Sequence, residues 1–228
     1  MKKKIIALIL CGGKGERLRP LTDMVPKPLI LLSGHPILGY ALSHLKKYGI
    51  KDVVIAAGYR KEKIYEFFEG NYRDFNVKIV DSGDVDIIER IKGCADQIND
   101  DFLVLYGDTL ADVNLVQLQE FHFSHGKKAT ITLLPFKSQF GLFEMDKDNT
   151  VTRYREKPTL DQLINIGFFY FEKQIFSWIS DFNTYGEFLE FLTNQGKMKG
   201  FMHNGAHLTV NTLRELEEAE QIIHQFDK

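Results

Sequence analysis

Chemistry-bearing residues are densest between positions 12 and 27, where Gly12, Gly13 and Gly15 are followed by Arg17, Arg19 and Lys27. Glycines let successive backbone N–H groups turn toward one point and form a concavity for an anion. A guanidinium holds two phosphate oxygens at once, and Lys27, set between Pro26 and Pro28, adds a point charge on a stiffened segment. The pattern predicts phosphate binding, with the dipole of a following helix start as a further contribution. It departs from two better-known devices. No Gly-Lys-Ser/Thr follows the glycines as in a P-loop, and Leu18 stands where a dinucleotide fingerprint needs its third glycine.

Asp108, in "YGD", lies just beyond an apolar run. Mg²⁺ takes one or two carboxylates and completes its octahedron with water and substrate phosphates, so a single aspartate beside a phosphate loop suffices. Asp112 is expected to cap the helix that begins near Leu115. Further on, "YREKP" offers Glu156 as an acceptor for hydroxyls and Lys157 as a second phosphate neutraliser. Asn165 supplies an amide that donates and accepts, and Gly167 permits close approach. Together these suit a polyol carrying a phosphate. His203 and His207 lack a third ligand nearby in sequence, so they are not expected to hold zinc. No serine has a histidine at suggestive spacing, which leaves the chain without a recognisable nucleophile.

The elements that must position these groups follow a regular rhythm. "KIIALILC" (4–11) predicts a strand buried on both faces, and "PILGYALSHLKKYG" (36–49) a helix stopped at Gly49. "DVVIAAGY", "VKIVDS" and "FLVLYGD" predict strands alternating with helices at "KEKIYEFFEG" and "DIIERIKGCADQI". Such alternation predicts a parallel sheet with helices on its faces, and open sheets of that kind bind ligands at the carboxyl edge of the strands. After residue 125 the closely spaced "KKATITLLPF", "FGLFEMD", "TVTRYRE" and "INIGFFYFE" predict a more antiparallel part of the same sheet, with helices at "KQIFSWIS" and "TLRELEEAEQIIHQF". With no repeat or linker, residues 1–228 are expected to form one domain.

Net charge is −2 over 228 residues, so no whole-molecule field draws nucleic acid or anionic lipid. No apolar run is long enough to cross a bilayer, and the basic Met1–Lys4 runs into a strand without a cleavage site. Cys11 and Cys94 give no disulfide framework, which points to a reducing cytoplasm.

Taken in order, "ALILCGGKGERLRPLTDMVPKPL", "YGDTLAD", "REKP" and "INIGFF" resemble the sugar-nucleotide pyrophosphorylase (nucleoside-diphosphate-sugar synthase) family across nearly the whole chain. "VDSGD", "YGDTLADVNL", "HGKKATITLLP", "FGLFEMD" and "NTLRE" look most like its glucose-1-phosphate cytidylyltransferases. The resemblance implies an α/β fold with a Rossmann-like, mainly parallel mixed sheet and helices on both faces. It also implies Mg²⁺-dependent transfer of a nucleotide, CTP first, to a sugar 1-phosphate, in a family whose members are commonly oligomers. Leu10, Gly12, Gly13, Gly15 and Gly107 would contact the nucleotide, Arg17 the departing phosphates and Lys27 the α-phosphate. Asp108 and Asn211 would hold the metal, Lys157 the sugar phosphate, and Gly141, Glu156, Asn165 and Gly167 would line the sugar pocket. Two positions depart from the family pattern. Asn211 replaces an aspartate that normally precedes "TLR", which removes one negative charge from the metal. "DIIE" at 86–89 replaces a threonine- or glycine-rich turn with the start of an amphipathic helix, at a place that bears on base preference. The alternatives are another base, a non-sugar phosphorylated acceptor, or a homologue that binds sugar nucleotides without making them.

Overall fold

The structure, a computed structural model, describes residues 5–226; the basic Met1–Lys4 lies outside the described residues. Strand β1 (Ile6–Cys11) is apolar on both faces because both are covered. Its odd-numbered residues Ala7, Ile9 and Cys11 enter one core with Leu38, Leu42 and Leu45 of helix α1 (Ile37–Lys47). Leu8 points the other way, into a second core with Ile88 and Ile91. This period-2 division explains why the strand reads as one continuous apolar run.

The chain continues through two short strands, β2 (Leu31–Leu32) and β3 (His35–Pro36), and α1 to β4 (Asp52–Ala57), helix α2 (Lys61–Phe68) and β5 (Asn76–Asp81). Helix α3 (Ile87–Gly93) leads to β6 (Phe102–Tyr106), β7 (Thr109–Ala111) and α4 (Leu115–Ser124). Strand β4 pairs in parallel with β1 and β5, and β6 pairs in parallel with the other edge of β1. The chain thus builds outward from one side of β1 and then crosses to the other. The crevice between the carboxyl ends of β1 and β6 is the topological switch point, where open α/β sheets take their ligands.

The second half differs in part from expectation. Strands β8 (Ala129–Lys137) and β11 (Thr159–Phe171) extend the sheet antiparallel to one another. Strands β9 (Leu142–Met145) and β10 (Val151–Arg155) leave it and form a separate two-stranded ribbon. Short helix α5 (Phe176–Ile179) is followed by α6 (Tyr185–Asn194), which the hydrophobic pattern did not reveal although Thr184 and Glu187 form a capping box. Strand β12 (Met198–Met202) then adds in parallel to β8, giving the order β12-β8-β11-β6-β1-β4-β5 with β11 alone reversed. A last short strand, β13 (His207–Thr209), pairs antiparallel with β7, and α7 (Leu213–Ile222) follows. No described helix is long and apolar enough to cross a membrane.

Candidate active site

The glycines lie where β1 stops. Gly15 takes a left-handed φ of 64°, and a Cβ there would stand 2.9 Å from Thr22 Cγ2 and 3.1 Å from Lys27 Cβ. Such a position tolerates no side chain. Thr22 Oγ1 closes the loop by donating to the Gly15 carbonyl at 3.1 Å. The chain then makes three 3₁₀ turns (Glu16–Leu18, Leu21–Asp23 and Lys27–Leu29) rather than the expected α-helix, so no helix dipole reaches the glycines. Arg19 corrects a second expectation. It is exposed and pairs with Asp23 at 3.3 Å instead of joining the loop.

The third turn buries Lys27 to 8% exposure and aims its ammonium into the crevice. Lys27 Nζ donates to Asp108 Oδ2 at 2.5 Å and to Asn211 Oδ1 at 2.8 Å, and Arg17 Nη2 donates to the same Asn211 oxygen at 3.0 Å. Asp108 Oδ1 accepts from Thr109 Oγ1 at 3.2 Å. Four residues scattered over 194 positions of sequence therefore meet at one point. Asn211 reaches it because β13 pairs with β7 beside Asp108 and because α7 anchors the backbone. In the α7 capping box Glu215 Oε2 accepts from Asn211 N at 2.6 Å and from Thr212 N at 3.1 Å.

The oxygens of Asp108 and Asn211 converge on a cation, the Lys27 ammonium. One carboxylate and one amide oxygen form a hard donor set suited to Mg²⁺. Among the described residues no group of three or more His, Cys, Asp or Glu side chains stands ready to hold a metal. An ion here must take most of its ligands from water and substrate phosphates, as Mg²⁺ commonly does. Cys11, behind the loop, is no competitor for chemistry, since burial and then the Asp108 charge push its thiol far up and keep it protonated.

These groups line one cleft of about 500 Å³. Leu10, Gly12, Gly13, Gly15, Arg17, Lys27, Asp108 and Asn211 border it, so eight of the residues singled out from sequence are brought together. Gly107 does not border it. A Cβ there would press on the Leu10 carbonyl at 2.7 Å and Cys11 Sγ at 2.8 Å, so this glycine allows the ends of β1 and β6 to touch. None of the expected sugar-site residues, Gly141, Glu156, Lys157, Asn165 and Gly167, borders it. Asn165 Nδ2 donates to Tyr106 Oη at 3.4 Å, and a Cβ on Gly167 would strike the Tyr106 ring. Tyr106 lines the cleft, and so joins Asn165 and Gly167 to it. Gly141 packs under the Tyr154 ring, whose hydroxyl donates to Glu156. Lys157 is exposed, with a left-handed φ of 39°.

The cleft is also lined by Val85, Asp86, Ile87 and Arg90. Arg90 escaped the reading of the sequence. It is 5% exposed, and its guanidinium fills the space that a Cβ on Gly12 or Gly58 would need. The available signal was a base on the inward stripe of a helix, three residues after Ile87 and next to Ile91. Asp112 is not the cap of α4. Asn114 caps it, accepting from Gln117 N at 3.1 Å, while Asp112 faces His203 Nε2 at 3.2 Å. His203 also lies 3.1 Å from the Ala206 carbonyl, within the protein's own framework.

A family model described as nucleotidyl transferase matches residues 6–206. A Bacillus subtilis (strain 168) protein named "Probable glucose-1-phosphate cytidylyltransferase" is 32% identical over 96% of this chain and 96% of its own. The glucose-1-phosphate cytidylyltransferase of Salmonella typhimurium is 33% identical over 92% of each chain. Among solved structures, HddC from Yersinia pseudotuberculosis complexed with GMP-PN superposes with a TM-score of 0.74 at 21% identity, over 96% of this chain and 99% of that one. This last likeness shows a shared fold.

Proposed function

The chain belongs to the nucleotidyl transferase family, and from that premise we propose that it joins a nucleoside triphosphate, CTP in preference, to a sugar 1-phosphate with release of pyrophosphate. The observation that carries the reading is the meeting of Lys27, Arg17, Asp108 and Asn211 beside the glycine loop at the sheet's switch point. In the reaction a phosphate oxygen of the sugar 1-phosphate attacks the α-phosphorus, the bond to the bridging oxygen breaks, and pyrophosphate departs with that electron pair. No enzyme nucleophile is required, so positioning and charge neutralisation supply the rate enhancement.

Each residue has a task in that scheme. The backbone of the glycine loop cradles the triphosphate. Lys27 exchanges its bonds to Asp108 and Asn211 for α-phosphate oxygens, and Arg17 holds the departing pyrophosphate. Asp108 and Asn211 would hold Mg²⁺. When bound, the ion neutralises phosphate charge as it develops. Glu156, Lys157 and Asn165, with Gly141 and Gly167 giving close approach, would receive the sugar phosphate on the β11 side of Tyr106. The names of the cytidylyltransferase relatives support CTP. Two buried, unpaired thiols, Cys11 and Cys94, suit a reducing compartment such as the cytoplasm.

Asp108→Ala tests the reading. It should abolish Mg²⁺-dependent pyrophosphate release while the variant retains its melting profile. Undiminished turnover would remove Asp108 from the site.

A further inference from the structure

Helix α6 opens on Tyr185, a residue to which the reaction scheme gives no task. Tyr185 is 7% exposed, and its hydroxyl is sealed from solvent with no hydrogen-bond partner of ordinary geometry among the described residues. The ring stands edge-on to Phe169, with centroids 5.8 Å apart, inside the second core, and does not border the cleft. Its hydroxyl faces the phenol of Tyr106. Burial first, and then that phenol, raise it well above the usual tyrosine range, so it keeps its proton. A buried O–H without an acceptor is costly, and Tyr106 Oη is the acceptor that these surroundings provide.

Tyr106 itself is tightly held. Its ring packs on Gly167, whose φ of 76° and missing Cβ let β11 approach, and lies 6.0 Å from the Phe169 ring. Asn165 Oδ1 accepts from Gly167 N at 2.8 Å, which turns the amide so that Nδ2 donates to Tyr106 Oη at 3.4 Å. A phenol oxygen accepts through two lone pairs and donates one proton. With one lone pair met by Asn165 and the other by Tyr185, the Tyr106 proton is left for the cleft that this residue lines. We infer that Tyr185 is a positioning residue: from behind the cleft its hydroxyl donates to Tyr106 Oη, and so turns Tyr106 into a donor toward an oxygen of the incoming sugar 1-phosphate. The inference rests on the transferase reading given above. Tyr106 suits that acceptor because it stands two residues before Asp108 and touches Asn165 and Gly167 of the expected sugar site. Helix α6 thereby supports the acceptor substrate without touching it.

The test measures pyrophosphate release in the wild type, Tyr185→Phe, Tyr106→Phe and the double variant, varying each substrate in turn. It uses the pair of substrates that the wild type turns over best, beginning with CTP and α-glucose 1-phosphate. In Tyr185→Phe, kcat/KM for the sugar 1-phosphate should fall roughly 3- to 10-fold, the scale of one neutral hydrogen bond. The KM for the triphosphate should stay at the wild-type value. Tyr106→Phe removes a bond to a charged acceptor, and should lose roughly 10- to 100-fold on the same substrate. The double variant should lose no more than Tyr106→Phe alone, because Tyr185 acts through Tyr106. Melting profiles confirm folding, and Tyr185→Met removes the same donor if phenylalanine does not fold. Three results would overturn the role of Tyr185 alone: unchanged sugar 1-phosphate kinetics in a folded variant, equal losses for both substrates, or losses that multiply in the double variant. A wild type that releases no pyrophosphate from any pair would overturn the transferase reading itself, and this inference with it.

Discussion

At position 211 an amide oxygen faces the Lys27 ammonium at 2.8 Å, beside the Asp108 carboxylate at 2.5 Å from the same nitrogen. The sum is one negative charge shared by a buried lysine and, through Asn211, by Arg17. A divalent ion competing for these oxygens meets two cations and a single formal anion. Restoring the charge with Asn211→Asp should lower the Mg²⁺ concentration needed for half-maximal activity by roughly tenfold, about the effect of 1.4 kcal/mol of added attraction. An unchanged Mg²⁺ titration would place residue 211 away from the ion. At this scale the sequence was readable where chemistry sits in a loop after a strand. Arg17, Lys27 and Asp108 advertised themselves by charge beside glycine or proline. Arg90 did not, because a lone arginine in a helix resembles any solvated base until the helix face it occupies is known. Arg19, two residues from Arg17, shows the converse, since spacing alone could not say that it turns to Asp23.

Asn211 is held by an element, not by its own side-chain contacts alone. The α7 capping box ties its N–H to Glu215, and β13 carries the chain past β7 to bring it beside Asp108. Glu215→Ala should cost about 1 kcal/mol through loss of the cap. For a domain of this length that is a fall in melting temperature of roughly 2–4 °C. Activity at limiting Mg²⁺ should fall by more than this stability loss explains, because Asn211 loses its anchor. A variant that melts lower yet titrates with Mg²⁺ like the wild type would separate the helix cap from the site. Strands β1, β4 and β6 were legible because burial on both faces writes a continuous apolar run. Strand β12, "MKGFM", lies at the sheet edge with partial exposure and carries no such run. Helix α6 was missed although its capping box was present, and β9–β10 could not be assigned to a separate ribbon because pairing partners leave little trace in a single sequence.

Across the whole molecule, parallel strands meeting helices on both faces bring the glycine loop, Lys27, Asp108 and the start of α3 to a single crevice, as the alternation of elements implied. Histidines away from the crevice set a pH limit on stability. His44 and His207 have pKa values lowered from 6.5, chiefly by burial, and His125 shifts the same way for the same first cause. A histidine held neutral when folded binds fewer protons than in the unfolded chain. Its contribution to stability is therefore complete above the unfolded value near 6.5 and is lost as pH falls toward the lower folded values. The melting temperature should be flat from pH 7 to 8 and decline below about 6.5, and His44→Gln should reduce that slope. An equal slope in the variant would assign the decline to other groups. The central claim concerns the crevice itself, and one measurement tests it most directly: pyrophosphate release with Mg²⁺, each common triphosphate and a panel of sugar 1-phosphates, beginning with CTP and α-glucose 1-phosphate. Release that requires a triphosphate and a sugar 1-phosphate together, with CTP favoured, is the predicted result. Absence of release from every pair, with a nucleotide or sugar nucleotide still bound, would contradict it.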